Sequence, residues 1–265
     1  MHHGPRTLVL PNAWDVASAR VIEEAGYGAI ATTSAGVAFS LGYPDGQKIS
    51  RAEMLARVGR IAKAVKVPVT ADVEAGYGNR PVDAADTARM AIEAGAVGIN
   101  LEDSTGNAAS PLVDLSLQLE KIRAVREAAI KTGVLLLLNA RTDVYLAQVG
   151  EERTRYDETV RRLVAFRDAG AECVFAPGLR DAQIIRRLVK DVQCPLNILA
   201  GPGSLPIPEL EALGVARVSL GSATMRATLG LLQRMADELK SSGTYSAMEG
   251  APTHAQVNAL LEPKS

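Results

Sequence analysis

The chain has 265 residues, 47% of them hydrophobic and 22% charged, with a formal net charge of -1. That balance excludes the basic footprint of a nucleic-acid or anionic-membrane binder, and no apolar run reaches the roughly 18 residues that span a bilayer. Cys173 and Cys194 sit in apolar runs and read as buried thiols rather than a disulfide framework; MHHGPRTLVL carries no long apolar signal core, so a reducing, cytoplasmic setting is expected.

His2 and His3 are assigned no role. Residues 8–10 form a short apolar run closed by Pro11-Asn12, and 13–25 carry helical spacing up to Gly26, a C-cap candidate. A strand is predicted at 29–32, followed by Thr33-Ser34-Ala35-Gly36. Residues 51–65 read as a helix capped by Ser50, with Glu53 completing a capping box. Strand 67–74 follows, then a helix at 81–94 that opens on Pro81 and stops at Gly95. Strands at 97–102, 134–141, 173–176, 196–199 and 217–220 alternate with helices at 115–131, 151–169, 181–190, 206–213 and 223–240. One more helix is expected at 254–261. The turns AGYGAI, AGAVGI and AGAECV each close a helix with Ala-Gly before a strand.

Eight strands alternating with helices, with no linker between them, build a parallel sheet. In about 250 residues this is the count of a single-domain (β/α)8 barrel, with the barrel over 1–240 and a tail over 241–265. An open doubly wound sheet is the alternative, but the first turn here, Pro-Asn-Ala-Trp-Asp, lacks the glycine-rich nucleotide turn of that fold.

In a barrel the chemistry gathers at the C-terminal strand ends. Those ends carry Asn12 and Trp14, Ser34-Ala35-Gly36, Asp72 and Glu74, Asn100 and Glu102, Asn139 and Arg141, Asn197, and Ser219. Side chains alternate along a strand, so Asp72 pairs with Glu74, Asn100 with Glu102 and Asn139 with Arg141 on shared faces. Three carboxylates together repel unless a cation or protons intervene, and oxygen ligands suit Mg²⁺. The competing reading is a closed ion-pair network around Arg141. Asp103 falls on the opposite parity and reads as a loop cap, and Asp143 as a holder of Arg141 or a cap. Asp45 lies in the turn-forming LGYPDGQK. No lysine sits at an inward strand end, which argues against Schiff-base chemistry, and no Ser-His pairing is visible.

Taken together, PNAWD, TTSAGVA, GYPDG, ADVEAGYGN, AGAVGINLEDS and NARTD resemble the isocitrate lyase/phosphoenolpyruvate mutase superfamily, in order and over nearly the whole chain. The resemblance implies a (β/α)8 barrel that binds Mg²⁺, with Mn²⁺ as a substitute, and cleaves or forms C–C or C–P bonds beside the carbonyl of small α-oxo acids. It also implies a homo-oligomer, tetramer or dimer, with the last helix swapped between subunits, so that the tail packs on a neighbour. Asp72 would ligate the metal directly, with Glu74 and Glu102 holding it largely through water. Ser34, Ala35 and Gly36 would bind the acid through backbone N–H groups, Arg141 would grip an anionic end, and Asp45 would approach the reacting carbon. Asn197 would line the far wall and Trp14 would pack against the bound acid.

The departures bear on substrate. The tricarboxylate lyases carry KRCGH in a gating loop; the corresponding loop here, Ser104–Asp114 (STGNAASPLVD), has no cysteine, lysine or histidine. Ala176-Pro177-Gly178 stands where those lyases carry a glutamate. The mutases have lysine and asparagine in a longer loop, for which only Asn107 is at hand. Glu74 stands where the family usually has Asp, and the family often has a helix before the first strand. The expected activity is Mg²⁺-dependent cleavage beside the oxo carbon of a small, oxaloacetate-like acid, as lyase, decarboxylase or hydrolase. The alternatives are mutase or phosphonopyruvate-hydrolase chemistry, a phosphate-binding barrel using Gly201-Pro202-Gly203 and Gly221-Ser222, and a non-catalytic oxo-acid binder.

Overall fold

The computed structural model describes residues 1–2, 4 and 6–262. His3 and residues 263–265, the end of the predicted tail, lie outside the described residues. The chain runs β1 (Leu8–Leu10), β2 (Asn12–Ala13), α1 (Val16–Glu24), β3 (Ile30–Thr32), α2 (Ser34–Ser40) and α3 (Arg51–Ala64). β4 (Val69–Asp72), α4 (Pro81–Glu93), β5 (Gly98–Glu102), α5 (Leu115–Thr132), β6 (Leu137–Arg141) and α6 (Glu152–Asp168) follow. β7 (Cys173–Phe175), α7 (Ala182–Val192), β8 (Leu196–Leu199), α8 (Ile207–Ala212) and β9 (Arg217–Ser219) complete the alternation. α9 (Ala223–Ser241), a 3-10 turn at Ser246–Met248 and α10 (His254–Leu261) close it.

Every strand pairing is parallel; β1 pairs with β9 while β2 pairs with β3. β1 and β2 are therefore one barrel strand interrupted at Pro11, whose nitrogen has no hydrogen to donate. Its carbonyl still accepts from Ala31 N–H at 3.1 Å. Counted so, eight strands close into a (β/α)8 barrel. Asn12 latches the closure. Its Oδ1 accepts from the N–H groups of Leu220 (2.8 Å) and Gly221 (2.9 Å), and its Nδ2 donates to Thr32 O at 2.7 Å.

The predicted parity holds within the strands, though not for Glu74, which lies beyond the end of β4. Ala71, Ile99, Leu101, Leu138, Ala140 and Val218 pack in the layer between sheet and helices, so Asp72, Asn100, Glu102, Asn139 and Arg141 face the barrel interior. Ser50 and Glu53 form the expected capping box on α3. Cys173 and Cys194 are free, the first buried and the second half-buried. Burial pushes their thiols up to about 12 and about 11, which leaves them unreactive. Among the described residues no helix is long and apolar enough to cross a membrane.

The elements differ from expectation at several points. α1 starts at Val16 because Asn12 and Ala13 pair with β3, and Asp15 forms a capping box with Ser18. β6 starts only at Leu137, since Gly133 ends α5 at φ 73° and Leu135 is 93% exposed. α2 was not anticipated. Thr33 caps it by accepting from Gly36 N–H, and a Cβ on Gly36 would lie 2.5 Å from Thr33 Cγ2 and 3.1 Å from Trp14 Cβ, so the first turn can seat there only with glycine.

Candidate active site

A cavity of about 220 Å³ opens at the C-terminal rim of the barrel, lined by Asn12, Thr33, Ser34, Ala35, Asp45, Asp72, Asn100, Arg141, Phe175, Ser219 and Arg226 among others. Asp72 ends β4. Its Oδ2 accepts from Ser34 N–H (3.0 Å) and Ser34 Oγ (2.7 Å), and its N–H donates to Thr32 Oγ1 (2.9 Å). Its Oδ1 is buried with no hydrogen-bond partner. A buried carboxylate oxygen left bare is costly, and this one belongs to a residue that lines the cavity.

Glu74 does not belong to the strand. β4 stops at Asp72, and Glu74 has φ 51°. It stays beside β5 because its carbonyl accepts from Glu102 N–H at 3.0 Å. One carboxylate oxygen accepts from Gln47 N–H and the other from Tyr77 OH at 3.2 Å. Burial first, then the charges of Asp72 and Asp45, push its carboxyl up to about 7. Glu102 is raised well above the usual range, again chiefly by burial, against the pull of Arg141. Asp45, on the α2–α3 loop, is raised too, by burial and by Asp72 among others.

Arg141 ends β6 between two carboxylates. Its Nη1 lies 2.8 Å from Glu102 Oε2; its Nε and Nη2 bond Asp143 Oδ1 and Oδ2 (2.9 Å for the latter). The guanidinium carbon stands 5.7 Å from the Phe175 ring centroid, a stacking distance for cation–π contact. Asp143 is fixed in turn by Asp103, which accepts from Asp143 N–H (2.9 Å), Thr142 Oγ1 (2.7 Å) and Arg162 Nη1 (3.1 Å). The predicted alternatives for Arg141 thus merge: it is ion-paired to Glu102 and Asp143, yet it still lines the cavity.

Several placements differ from expectation. Asp72, Asp45, Ser34, Ala35 and Arg141 line the cavity, but Glu74 and Glu102 do not. Among the described residues no three of His, Cys, Asp and Glu converge closely enough to hold a metal ion. Glu74 and Glu102, expected to act largely through water, spend oxygens on Gln47, Tyr77 and Arg141. What fits is an ion held directly by Asp72 and otherwise by water and ligand oxygens, which Mg²⁺ accepts readily. Of the three amides expected to bind the acid, Ser34's donates to Asp72 and Gly36's to Thr33, which leaves Ala35's. Asn197 is fully buried below the cavity, exchanging hydrogen bonds with Ser219 (3.1 and 3.3 Å); Ser219 and Leu199 take the wall instead. Trp14 packs with Val37, Ala38, Ile49 and Met54 behind α2, because the chain turns away at the Asp15 cap. Asn107 is exposed and caps its own turn, accepting from Ala109 N–H at 2.9 Å.

Other residues of consequence escaped the strand-end reading. Lys121 is buried under the Asp72–Gly78 loop and donates to the carbonyls of Ala75 and Gly78 (3.2 Å for the latter). Arg226 reaches the cavity from α9. Arg217 is fully buried inside the barrel; its parity with Ser219, two residues on, was the available signal.

A closed parallel barrel with a small cavity at its strand ends, acidic residues around one anchored arginine, is the arrangement of a barrel enzyme. The profile of the phosphoenolpyruvate phosphomutase family matches residues 1–240. The chain belongs to that family and, with it, to the isocitrate lyase/phosphoenolpyruvate mutase superfamily. It is 38% identical over 229 residues to the uncharacterised protein Rv1998c of Mycobacterium tuberculosis (strain ATCC 25618 / H37Rv), covering 86% of this chain and 83% of that one. It is 29% identical over 250 residues to 2-methylisocitrate lyase of Bacillus subtilis (strain 168), covering 91% and 79%. A crystal structure from Burkholderia cenocepacia J2315, with the provisional description of a lyase/mutase, superposes with a TM-score of 0.92 at 41% identity over 97% of this chain and 91% of that one. Oxaloacetate acetylhydrolase in complex with its product oxalate superposes with a TM-score of 0.85 at 26% identity, over 97% and 89%.

Proposed function

We propose that this enzyme cleaves the C–C bond beside the oxo carbon of a small α-oxocarboxylate, with Mg²⁺ and with oxaloacetate-like acids as the first candidates. The observation that carries the reading is the bare, buried Oδ1 of Asp72, a residue that lines the same cavity as Arg141. The cavity, at about 220 Å³, is below the range that accommodates drug-sized ligands and suits a short acid. The lyase and the oxalate-bound hydrolase among its relatives act in the same direction.

In this reading Asp72 holds the ion, and Glu74 and Glu102 add negative charge around its water shell. When bound, Mg²⁺ supplies Lewis-acid polarisation of the oxo oxygen. Arg141 grips a carboxylate, for which its planar fork is suited, and Ala35 N–H points an uncommitted donor at the ligand. Both are fixed before the ligand arrives, so they stabilise the charge that cleavage leaves on the acid. Each such preorganised contact is worth ~3 kcal/mol of barrier. Asp45, at the rim with a raised pKa, is placed to hold or deliver the proton, or to orient a water. The enzyme acts as a homo-oligomer on a free small acid.

The matching family profile favours one second reading, C–P chemistry on a phosphonate. The loop at 104–114 lacks a lysine to support phosphoryl transfer, which keeps it second. A metal-supplemented assay of oxaloacetate, phosphonopyruvate and related α-oxo acids, followed through CO₂, pyruvate and phosphate, separates the two. Asp72→Ala is expected to abolish turnover, and a chelator to silence the wild type. Full activity under chelation would refute the metal's role.

A further inference from the structure

Asn100 ends one turn of hydrogen bonding that runs through the middle of the barrel. Its Oδ1 accepts from Asn139 Nδ2 at 2.7 Å and from Arg217 Nη2 at 3.3 Å. All three side chains are buried; Arg217 and Asn139 are 0% exposed and Asn100 6%. Asn100 lines the cavity and the other two do not. Among the described residues no protein oxygen accepts from the Asn100 amide nitrogen.

An asparagine side chain can turn over and exchange its oxygen with its nitrogen. Here the exchange is blocked from below. A guanidinium has five donors and no acceptor, and it stays charged. Arg217 Nε and Nη1 are buried without partners, so Asn100 Oδ1 is the acceptor this cation has. Turning Asn100 over would set its NH₂ against Arg217 and leave a fully buried charge with no hydrogen bond, a heavy penalty in a low-dielectric interior. Turning Asn139 over instead would bring its oxygen against the oxygen of Asn100.

We infer that Asn100 is a substrate-binding residue whose NH₂ is held facing the cavity, and that Arg217 is the positioning residue that fixes it. The group it recognises is an acceptor oxygen, a carboxylate or oxo oxygen of a small acid anion, beside the oxygens that Asp72 and Arg141 address. Its two hydrogens are fixed donors, so binding needs no reorganisation of the amide. Asn100 therefore discriminates against ligands that present a hydroxyl or amino donor at that point. The ligand's identity rests on the oxo-acid reading; the amide's orientation does not.

Two measurements test it separately. Neutron diffraction of the ligand-free, deuterium-exchanged protein reads the amide directly. Deuterons on the cavity side of Asn100 are expected, and deuterons turned toward Arg217 would overturn the inference. Calorimetric titration with oxalate in Mg²⁺ then reads the contact. Asn100→Ala should weaken oxalate at least tenfold, Arg217→Met severalfold, and Arg217→Lys, which keeps a donor, less than Met. In the Asn100→Ala background Arg217→Met should have no further effect. Undiminished affinity in Asn100→Ala, or equal effects of Arg217→Met in both backgrounds, would sink the role. A wild type that binds neither oxalate nor pyruvate would overturn the oxo-acid reading and the ligand assignment with it, while the neutron result still decides the amide.

Discussion

Arg141 is held by two carboxylates that do different work. Asp143 grips both Nε and Nη2 and is itself clamped by Asp103, whereas Glu102 meets only Nη1. Asp143 is therefore the residue that sets the plane of the guanidinium. Asp143→Asn replaces one charge-assisted bond with a repelling NH₂, a loss of about 1.5–3 kcal/mol in such contacts. KM for the oxo acid should rise about tenfold, with kcat less affected, because the gripping group is misplaced rather than removed; steady-state kinetics with an unchanged KM would refute it. Glu74 makes a second prediction. Its pKa is raised from 4.5 to about 7 by burial and by the Asp72 and Asp45 charges, so between about pH 4.5 and 7 the native protein retains a proton that the unfolded chain has released. That contribution is fully present below about 4.5 and is lost as pH rises through 7. Metal-free protein should lose thermal stability across that window. Glu74→Gln, which never ionises, should flatten that part of the slope, and Mg²⁺ should offset it in the wild type. Thermal melts from pH 4.5 to 8 would count against this account if both proteins kept the same slope.

At the scale of elements, what was legible followed from period. Strand alternation placed Asp72, Asn139 and Arg141 inward because two-residue periodicity survives any shift of strand ends by a residue or two. It failed for Glu74, whose left-handed backbone breaks the alternation, although Glu102 N–H keeps it close to the site. It failed for Asn197 because inward is not the same as uppermost: a barrel interior is layered, and Asn197 sits a layer too deep. α2 was unreadable since a seven-residue helix containing Ser34 and Gly36 has little intrinsic propensity and is set by Thr33 and by packing on Trp14. The Asn12 latch joins residues more than two hundred apart, beyond any local pattern. α10 depends on a similar distant contact. Arg20 donates to Leu260 O (2.8 Å), Glu262 O (2.9 Å) and Ala64 O (3.1 Å), so it satisfies the last carbonyls of α10 and ties them to α3. Arg20→Met keeps much of the apolar stem and removes the donors. It should cost about 1–3 kcal/mol, chiefly as local release: faster amide exchange across 254–261 while the barrel strands stay protected. Uniform loss of protection across the chain would show that α10 is part of the global unit instead.

On the scale of the whole molecule, the eighth barrel helix is the anomaly. α9 has 19 residues and one buried side chain, Met225. Met225, Leu229, Leu232, Ala236 and Leu239 recur at i, i+4, i+7, i+11 and i+14, a single helical stripe, yet Leu229, Leu232 and Leu239 are exposed, Leu232 by 60%. A stripe of that length belongs against another surface, and the barrel of the same chain leaves it open. A second copy of the chain, offering the same stripe, is the occupant that an exchanged last helix would supply. Burying each leucine is worth roughly 1.5–3 kcal/mol, so the three on each side exceed the entropy of association for a modest dimer interface only if the whole stripe engages. Such an assembly would bear on the site, because Arg226 and Ser222 at the start of α9 line the cavity. Leu232→Glu places a charge at the middle of the stripe. It should lower the oligomeric state in sedimentation velocity and, by loosening the start of α9, raise KM for the oxo acid. A wild type that sediments as a monomer at every concentration would refute the covered-helix account, and an unchanged KM in a dissociated Leu232→Glu would refute its link to the cavity.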